Sequence, residues 1–146
     1  MYPLEVRKVM AVLGGVRTVG SSPNTPVERA AAIAQGLPGA VVPSLAINAP
    51  PNRPDARRRV AALVTSTASL KRWARLSPAA SERAEHLARI VALAVQALGD
   101  ADDAREWLNA PHPLLGSARP TDVSATDLGA RQVERIPHNI EYGLPV

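Results

Sequence analysis

One amphipathic segment constrains this chain more than any other. After Ser77 and Pro78, apolar residues recur at helical spacing as far as Gly99, which stops the pattern. The apolar stripe consists of Ala84, Leu87, Ile90, Val91, Ala94 and Leu98, while Glu82, Arg83, Glu85 and Arg89 lie mostly off it. Because such a stripe must be buried against other elements, the segment predicts a long helix at the centre of a helical core.

The composition supports an all-α fold. The chain has no Phe, and its aromatic residues are only Tyr2, Trp73, Trp107 and Tyr142. Its core must therefore be aliphatic, which suits packed helices. No alternating segment is long enough to predict a β-strand. A length of 146 residues suits one domain, or one domain with an arm.

Capping signals predict where several other helices begin and end. Thr25, Pro26 and Glu28 form a capping box with a proline at the first helical position, and Gly36 ends that helix. Asp100 caps the helix that carries Trp107. Further helices are predicted over 4–15, over 55–64 with Asp55 as N-cap, over 69–76, and over 127–136 with Thr126 as N-cap and Pro137 as terminator. The apolar segment 36–47 predicts a short helix or turn on the core.

The charge is unevenly distributed along the chain. Residues 51–83 hold eight cations and two acids, whereas residues 100–146 hold eight acids and four arginines. This asymmetry indicates either two faces with different partners or two ordinary solvated surfaces.

The residues exclude several classes of chemistry. There is no cysteine, so disulfides and thiolate metal sites are absent, which fits a cytoplasmic protein. His86, His112 and His138 form no metal-ligand spacing, and no phosphate-binding glycine loop is present. No nucleophile–base set is apparent, and the apolar segment 90–98 is too short to span a membrane. We therefore expect neither an enzyme nor a metal or cofactor site.

The two arginine-rich helices predicted over 55–64 and 69–76 have the outline of a helix-turn-helix. In this interpretation Trp73 packs inward, and the chain is a DNA-binding autorepressor that contacts an operator. The candidate DNA-binding residues are Arg57, Arg58, Lys71, Arg72 and Arg75. The alternative is an ordinary helical hairpin with a basic face.

An ordered motif in the C-terminal half resembles the toxin-binding domain of the MbcA/ParS/Xre antitoxin family. Its elements are Gly99-Asp100, Ala104, Trp107-Leu108, Pro111, Leu115-Gly116, Pro120, Asp122, Thr126, Gly129-Ala130, Val133 and Ile140-Glu141-Tyr142-Gly143. A weaker likeness extends upstream to about residue 30 through segments 36–46 and 76–90. The chain departs from the family pattern at Ser117, where the family has a second glycine, and at Pro137, which should shorten or kink the last helix.

The resemblance implies a helical, dimeric antitoxin whose partner is a RES-type toxin that degrades NAD or transfers ADP-ribose from it. The antitoxin would occlude the toxin's NAD pocket with its C-terminal end. The expected division is an N-terminal helical arm (1–50), a degenerate Xre-like basic region (51–83) and a toxin-binding domain (84–146). The arm either serves dimerisation or packs on the domain. The implied toxin-binding residues are Trp107, Asn109, Pro111, Leu115, Gly116, Arg119, Ile140, Glu141, Tyr142 and Gly143.

Two of these residues raise specific expectations. Trp107 either closes the core of the chain or contacts the partner. Tyr142 lies near a free end with little of its own chain to pack against, so we expect it to contact the partner. The acidic Glu141 beside it would pair with basic groups of the toxin.

Overall fold

The chain forms ten α-helices in a computed structural model that describes residues 6–20, 23, 25–72 and 74–145. In chain order they are α1 (Val6–Val12), α2 (Gly15–Val19), α3 (Pro26–Gln35), α4 (Val41–Asn48), α5 (Pro54–Val64), α6 (Thr67–Arg72), α7 (Pro78–Leu98), α8 (Ala101–Leu108), α9 (Pro120–Val123) and α10 (Asp127–Glu141). A 3₁₀ turn spans Pro113–Leu115. Within the described ranges the only β-type pairing is an isolated bridge between Pro38 and Arg75. The predicted all-α fold is confirmed.

Helix α7 lies at the centre, and its predicted bounds are confirmed. Ser77 Oγ accepts a hydrogen bond from the Ala80 N–H at 3.1 Å, and Gly99 ends the helix with a φ of 77°. Helices α1, α3, α4, α5, α8 and α10 all pack against it. Ala84, Leu87 and Ile90 are fully buried, so the predicted apolar stripe is the core of the fold.

The N-terminal helices belong to the same core. Val9 of α1 and Leu45 of α4 lie in a continuous apolar cluster that extends to Val133 of α10. The capping box that begins α3 is formed as predicted, and α4 confirms the short helix expected in segment 36–47. The described part of the segment predicted as an arm therefore packs on α7.

Several predicted helix boundaries are wrong. The first helix ends at Val12, and a separate helix, α2, follows Gly14, whose φ of 104° interrupts the helical backbone. Helix α5 begins at Pro54, so Asp55 lies in its first turn and does not cap it. Helix α6 spans 67–72 where 69–76 was expected. Trp73 and the side chain of Arg72 lie outside the described residues.

Glu85 was expected to lie off the buried face of α7. The structure buries it, so this expectation is wrong. Glu85 is only 5% exposed because α3 and α10 cover this side of α7. Arg89 Nη2 lies 2.6 and 2.7 Å from the two Glu85 carboxylate oxygens, and Arg89 Nη1 lies 3.2 Å from Glu134 Oε1 on α10. Arg29 of α3 approaches Glu85 at 3.8 Å. These cations compensate the buried charge.

This ion cluster shifts two pKa values. Burial opposes the charge on Arg89, but the Glu85 and Glu134 carboxylates more than offset that effect and raise the pKa of the guanidinium. Burial raises the pKa of Glu134, and the negative charge of Glu85 adds to the shift, while Arg89 opposes it. Glu134 therefore takes up a proton more readily in the folded protein than in the unfolded chain.

Helix α10 continues through Pro137, so the prediction that this proline ends the helix is wrong. The helix reaches Glu141, and the Tyr142 N–H donates to the His138 carbonyl at 3.1 Å, which restores helical hydrogen bonding. Proline inside a helix removes one backbone hydrogen bond. Here Ile136 and Pro137 are both buried, and α10 packs against α7, so burial of this part of the helix offsets the loss.

The raised pKa of Glu134 predicts a pH-dependent stability. A carboxyl that holds its proton more tightly when folded stabilises the fold below its unfolded pKa, and this contribution is lost as pH rises through the folded pKa. Glu134→Gln keeps a hydrogen-bond acceptor for Arg89 and removes this titration. We therefore expect the variant to gain stability relative to the parent protein as pH rises above 4.5, the ordinary pKa of a glutamate. Urea denaturation at a series of pH values measures the difference, and parallel pH profiles would contradict the prediction.

Candidate protein-binding surface

The connector between α8 and α9, residues 109–119, is closed by its own backbone hydrogen bonds. The His112 carbonyl accepts from the N–H groups of Leu115 and Ser117, both at 3.0 Å, and the His112 N–H donates to the Ala118 carbonyl at 3.0 Å. Gly116 and Ser117 have φ values of 62° and 65°. Ser117 is the only non-glycine residue with a positive φ in the described part of the chain, which explains why the family pattern has glycine there.

Arg59 of α5 anchors this connector. Its Nη1 donates to Thr121 Oγ1 at 3.1 Å and to Asp122 Oδ1 at 2.7 Å, and its Nη2 donates to Asn109 Oδ1. Thr121 is fully buried. One guanidinium from the basic region thus holds both ends of the connector, at Asn109 and at α9.

Asn109, a predicted toxin-binding residue, has its side-chain amide engaged within the chain. Its Nδ2 donates to the carbonyls of Ala49 at 2.9 Å and Arg105 at 2.7 Å, while its Oδ1 accepts from Arg59. The amide therefore ties α8 to the end of α4 and to α5. The observed role of this side chain is to fix the start of the connector.

The other predicted connector residues differ in exposure. Trp107 is half-buried, packs against the core and meets the His112 ring edge-on at a centroid distance of 5.8 Å. Leu115 is half-buried, whereas Pro111, Gly116 and Arg119 are exposed. Leu114, which lies in the 3₁₀ turn of the connector, is 59% exposed. The connector therefore presents a partly apolar rim to solvent.

The C-terminal tail, residues 142–145, folds back on the end of α10. Gly143 turns the chain with a φ of 65°, the Leu144 N–H donates to the Asn139 carbonyl at 2.8 Å, and Asn139 Nδ2 donates to the Pro145 carbonyl at 3.0 Å. Tyr142 lies 4.7 Å from the His138 ring, yet 53% of it is exposed. The turn thus holds an aromatic side chain partly in solvent.

Glu141 and Ile140 lie on the last turn of α10. Glu141 Oε1 accepts from Gln96 Nε2 of α7 at 2.8 Å, and Gln96 in turn accepts from Lys8 Nζ of α1 at 3.1 Å. Ile140 is 36% exposed. Glu141 is exposed, but one of its carboxylate oxygens already links α10 to α7, so its expected pairing with a toxin stays a prediction.

A groove joins the connector to the tail. We call it the tail groove; it has a volume of about 230 Å³ and is lined by Leu114, Leu115, Gln132, Arg135, Ile136, Asn139 and Pro145. The two segments predicted to bind a toxin therefore meet on one surface. The sequence interpretation missed Gln132, Arg135 and Asn139, although their spacing places them along one side of α10. Asn139 was missed because the helix was expected to stop at Pro137. Gln132 and Arg135 were missed because the groove beside them is formed by the connector and the tail, whose positions the sequence did not predict.

The candidate DNA-binding residues do not all lie free in solvent. Arg57 is half-buried in a separate groove of about 330 Å³ that also contains Asp102 and Glu106. Arg75 Nη1 donates to the Gly36 carbonyl at 2.9 Å. Arg58 and Lys71 are exposed. DNA binding by this region, with or without Arg72, stays a prediction.

Two further observations concern metal binding and membrane-spanning helices. Among the described residues, no three acidic or histidine side chains cluster in a way that could hold a metal ion. No helix in the same part of the chain has both the length and the apolar character needed to cross a bilayer.

The Arg59 contacts predict a specific defect. Arg59→Ala leaves Thr121, Asp122 and Asn109 without their shared donor, so we expect a loss of about 1–3 kcal/mol of stability. Hydrogen exchange should accelerate at the connector and α9 more than in α7. Arg58→Ala, an exposed change on the same helix, is the control and should alter neither quantity. Uniform acceleration in both regions would mean that Arg59 supports the whole fold and does not specifically hold the connector.

The comparison with protein families identifies the part of the chain that carries this surface. Residues 93–143 match the family described as antitoxin Xre/MbcA/ParS C-terminal toxin-binding domain. The match begins in the last turns of α7 and includes the connector, α9, α10 and the turn at Gly143. A search of curated proteins gives no match. The resemblance drawn from the motif is confirmed over residues 93–143, which match the toxin-binding domain family of the Xre/MbcA/ParS antitoxins.

Proposed function

We propose that this protein is the antitoxin of a RES-type toxin and inhibits it by covering its NAD pocket. The family of residues 93–143 supports the antitoxin role and a toxin as the partner. The resemblance described above suggests the RES type and the NAD chemistry. In this function the chain acts as an inhibitor and catalyses no reaction.

The observation that carries the proposal is the exposed apolar surface at the end of the toxin-binding domain. Leu114 is 59% exposed, Tyr142 53% and Leu144 49%. All three lie on the connector or the tail, which adjoin at the tail groove. Exposed apolar and aromatic groups that adjoin in this way are typical of protein interfaces, where buried aromatic residues contribute much of the binding energy.

The shape of the tail fits occlusion of a pocket. Tyr142 follows the last residue of α10, and the Gly143 turn brings the chain back to Asn139. The end of the helix therefore carries a half-exposed aromatic side chain on a hydrogen-bonded turn. A rigid aromatic ring with one polar atom loses little conformational entropy on burial and suits insertion into a cleft.

Removal of the tail tests the proposal. A chain truncated after Glu141 keeps α10 complete and loses Tyr142 and the turn. We expect its affinity for the RES-type toxin encoded beside it to fall about 30-fold or more, which corresponds to a hot-spot residue of about 2 kcal/mol. Purified toxin is titrated with each antitoxin, and NAD consumption and binding are measured in parallel.

Leu128→Ala provides a matched control on the same helix. Leu128 is 74% exposed but lies at the start of α10, away from the tail. We expect its affinity to stay within about threefold of the parent chain. A truncated chain that inhibits as well as the parent would disprove the role of the tail. Absence of any binding by the parent chain would disprove the proposed partner.

The proposed assembly contains a homodimer of this chain. Val27 of α3 and Ile47 of α4 are 78% and 58% exposed, so apolar side chains are available in the N-terminal half. Association through these helices would bury them. Sedimentation velocity of the purified protein should give a dimer, and a monomer at micromolar concentration would contradict this arrangement.

A further inference from the structure

The tail groove combines a cation with buried apolar side chains. Among the described residues that line it, Arg135 is the only ionisable one, and the apolar part includes Ile136, which is 4% exposed, and the half-buried Leu115. Leu114 from the connector and Pro145 from the tail also line the groove. The described lining therefore joins apolar side chains to the amides of Gln132 and Asn139 and to the cation of Arg135.

Arg135 is unpaired among the described residues, unlike the other charged groups near it on α10. Arg131, one turn earlier, pairs with Asp127 at 3.0 Å. Glu134, the adjacent residue, is buried and bound to Arg89 on the other side of the helix. No carboxylate of the described residues pairs with the exposed guanidinium of Arg135, which can form a bidentate pair with one.

The lining residue Pro145 is held in place. Asn139 accepts from the Leu144 N–H and donates to the Pro145 carbonyl, so one residue of α10 fixes both sides of the turn. The groove therefore exists before a partner binds. A site of this kind avoids part of the ordering entropy that a flexible tail would lose on binding.

We propose that the tail groove is the specificity-determining subsite for the toxin. It receives a toxin segment in which an acidic side chain lies beside an aliphatic one. The aliphatic group packs between Leu114, Ile136 and Pro145, and the carboxylate pairs with Arg135. This inference rests on the proposed function, which identifies the partner as the toxin. The side chains that line the groove determine which toxin side chains fit it.

In this proposal, the charge of Arg135 selects among toxins. An exposed ion pair contributes little to affinity, but a pair that is partly desolvated at an apolar groove contributes more and rejects partners of the wrong charge. A basic toxin segment would leave Arg135 facing a like charge. The groove would thus discriminate between toxins that share the same pocket but differ at this contact.

Two charge reversals on one helix test the inference. Arg135→Glu and Arg131→Glu change the net charge equally, and both side chains are exposed, so both variants should keep the helical circular dichroism and melting of the parent. We expect Arg135→Glu to weaken toxin binding about tenfold or more and Arg131→Glu to weaken it less than about threefold. Equal effects of the two variants would overturn the role of Arg135, because general electrostatics would explain both.

A peptide probe separates this inference from the proposed function. The capped peptides acetyl-Gly-Leu-Glu-Gly-amide and acetyl-Gly-Leu-Lys-Gly-amide are titrated into the isolated full chain and followed by NMR. We expect shifts at Leu115, Arg135 and Asn139 with the acidic peptide only, and their loss in Arg135→Glu. Such shifts would support the subsite even if the RES-type toxin failed to bind. Indistinguishable shifts from the two peptides, or none with the acidic one, would overturn it even if the toxin bound.

Discussion

Burial of α7 on nearly every side is the constraint on which the rest of the structure depends. From Ala84 to Ala94, Arg89 alone is not buried. A charged side chain on such an enclosed helix is buried and must be paired with an opposite charge. Arg29 and Arg89 supply that charge for Glu85. The same enclosure fixes the positions of α8 and α10, because both pack directly against α7.

The binding surface follows from this arrangement. Helix α10 lies along α7, and Glu141 is linked through Gln96 to α7 at the very end of the helix. The connector is held from the other side by Arg59 and Asn109. Two segments that are far apart in sequence thus meet at a groove whose walls are each fixed by hydrogen bonds. The exposed apolar groups lie on rigid supports, which favours a defined interface over non-specific adhesion.

The sequence predicted best those features in which a side chain binds its own backbone. The predicted caps at Thr25, Asp100 and Thr126 form, because each accepts from a backbone N–H only three residues away. The predicted cap at Asp55 does not form, because α5 begins one residue earlier at Pro54. Prediction failed where distant segments decide the outcome. The burial of Glu85 depends on Arg29 and on α10, and the continuation of α10 past Pro137 depends on packing against α7.

The candidate site was also predicted only in part from the sequence. The motif identified the connector and the tail, including Leu115, Tyr142 and Gly143, because the family pattern includes these positions. It did not indicate that Asn109 is engaged internally. Arg135 was missed, since the groove beside it is formed by the connector and the tail, whose positions the sequence did not predict.

The anchor at Arg59 has a consequence for how this protein can change during evolution. Arg59 lies outside the segment that matches the toxin-binding family, as does most of α7. In the proposed function, the binding surface of this segment would therefore take part of its shape from a residue outside the family match. A substitution at Arg59 would then change partner preference by shifting the connector, while every residue at the interface stays the same.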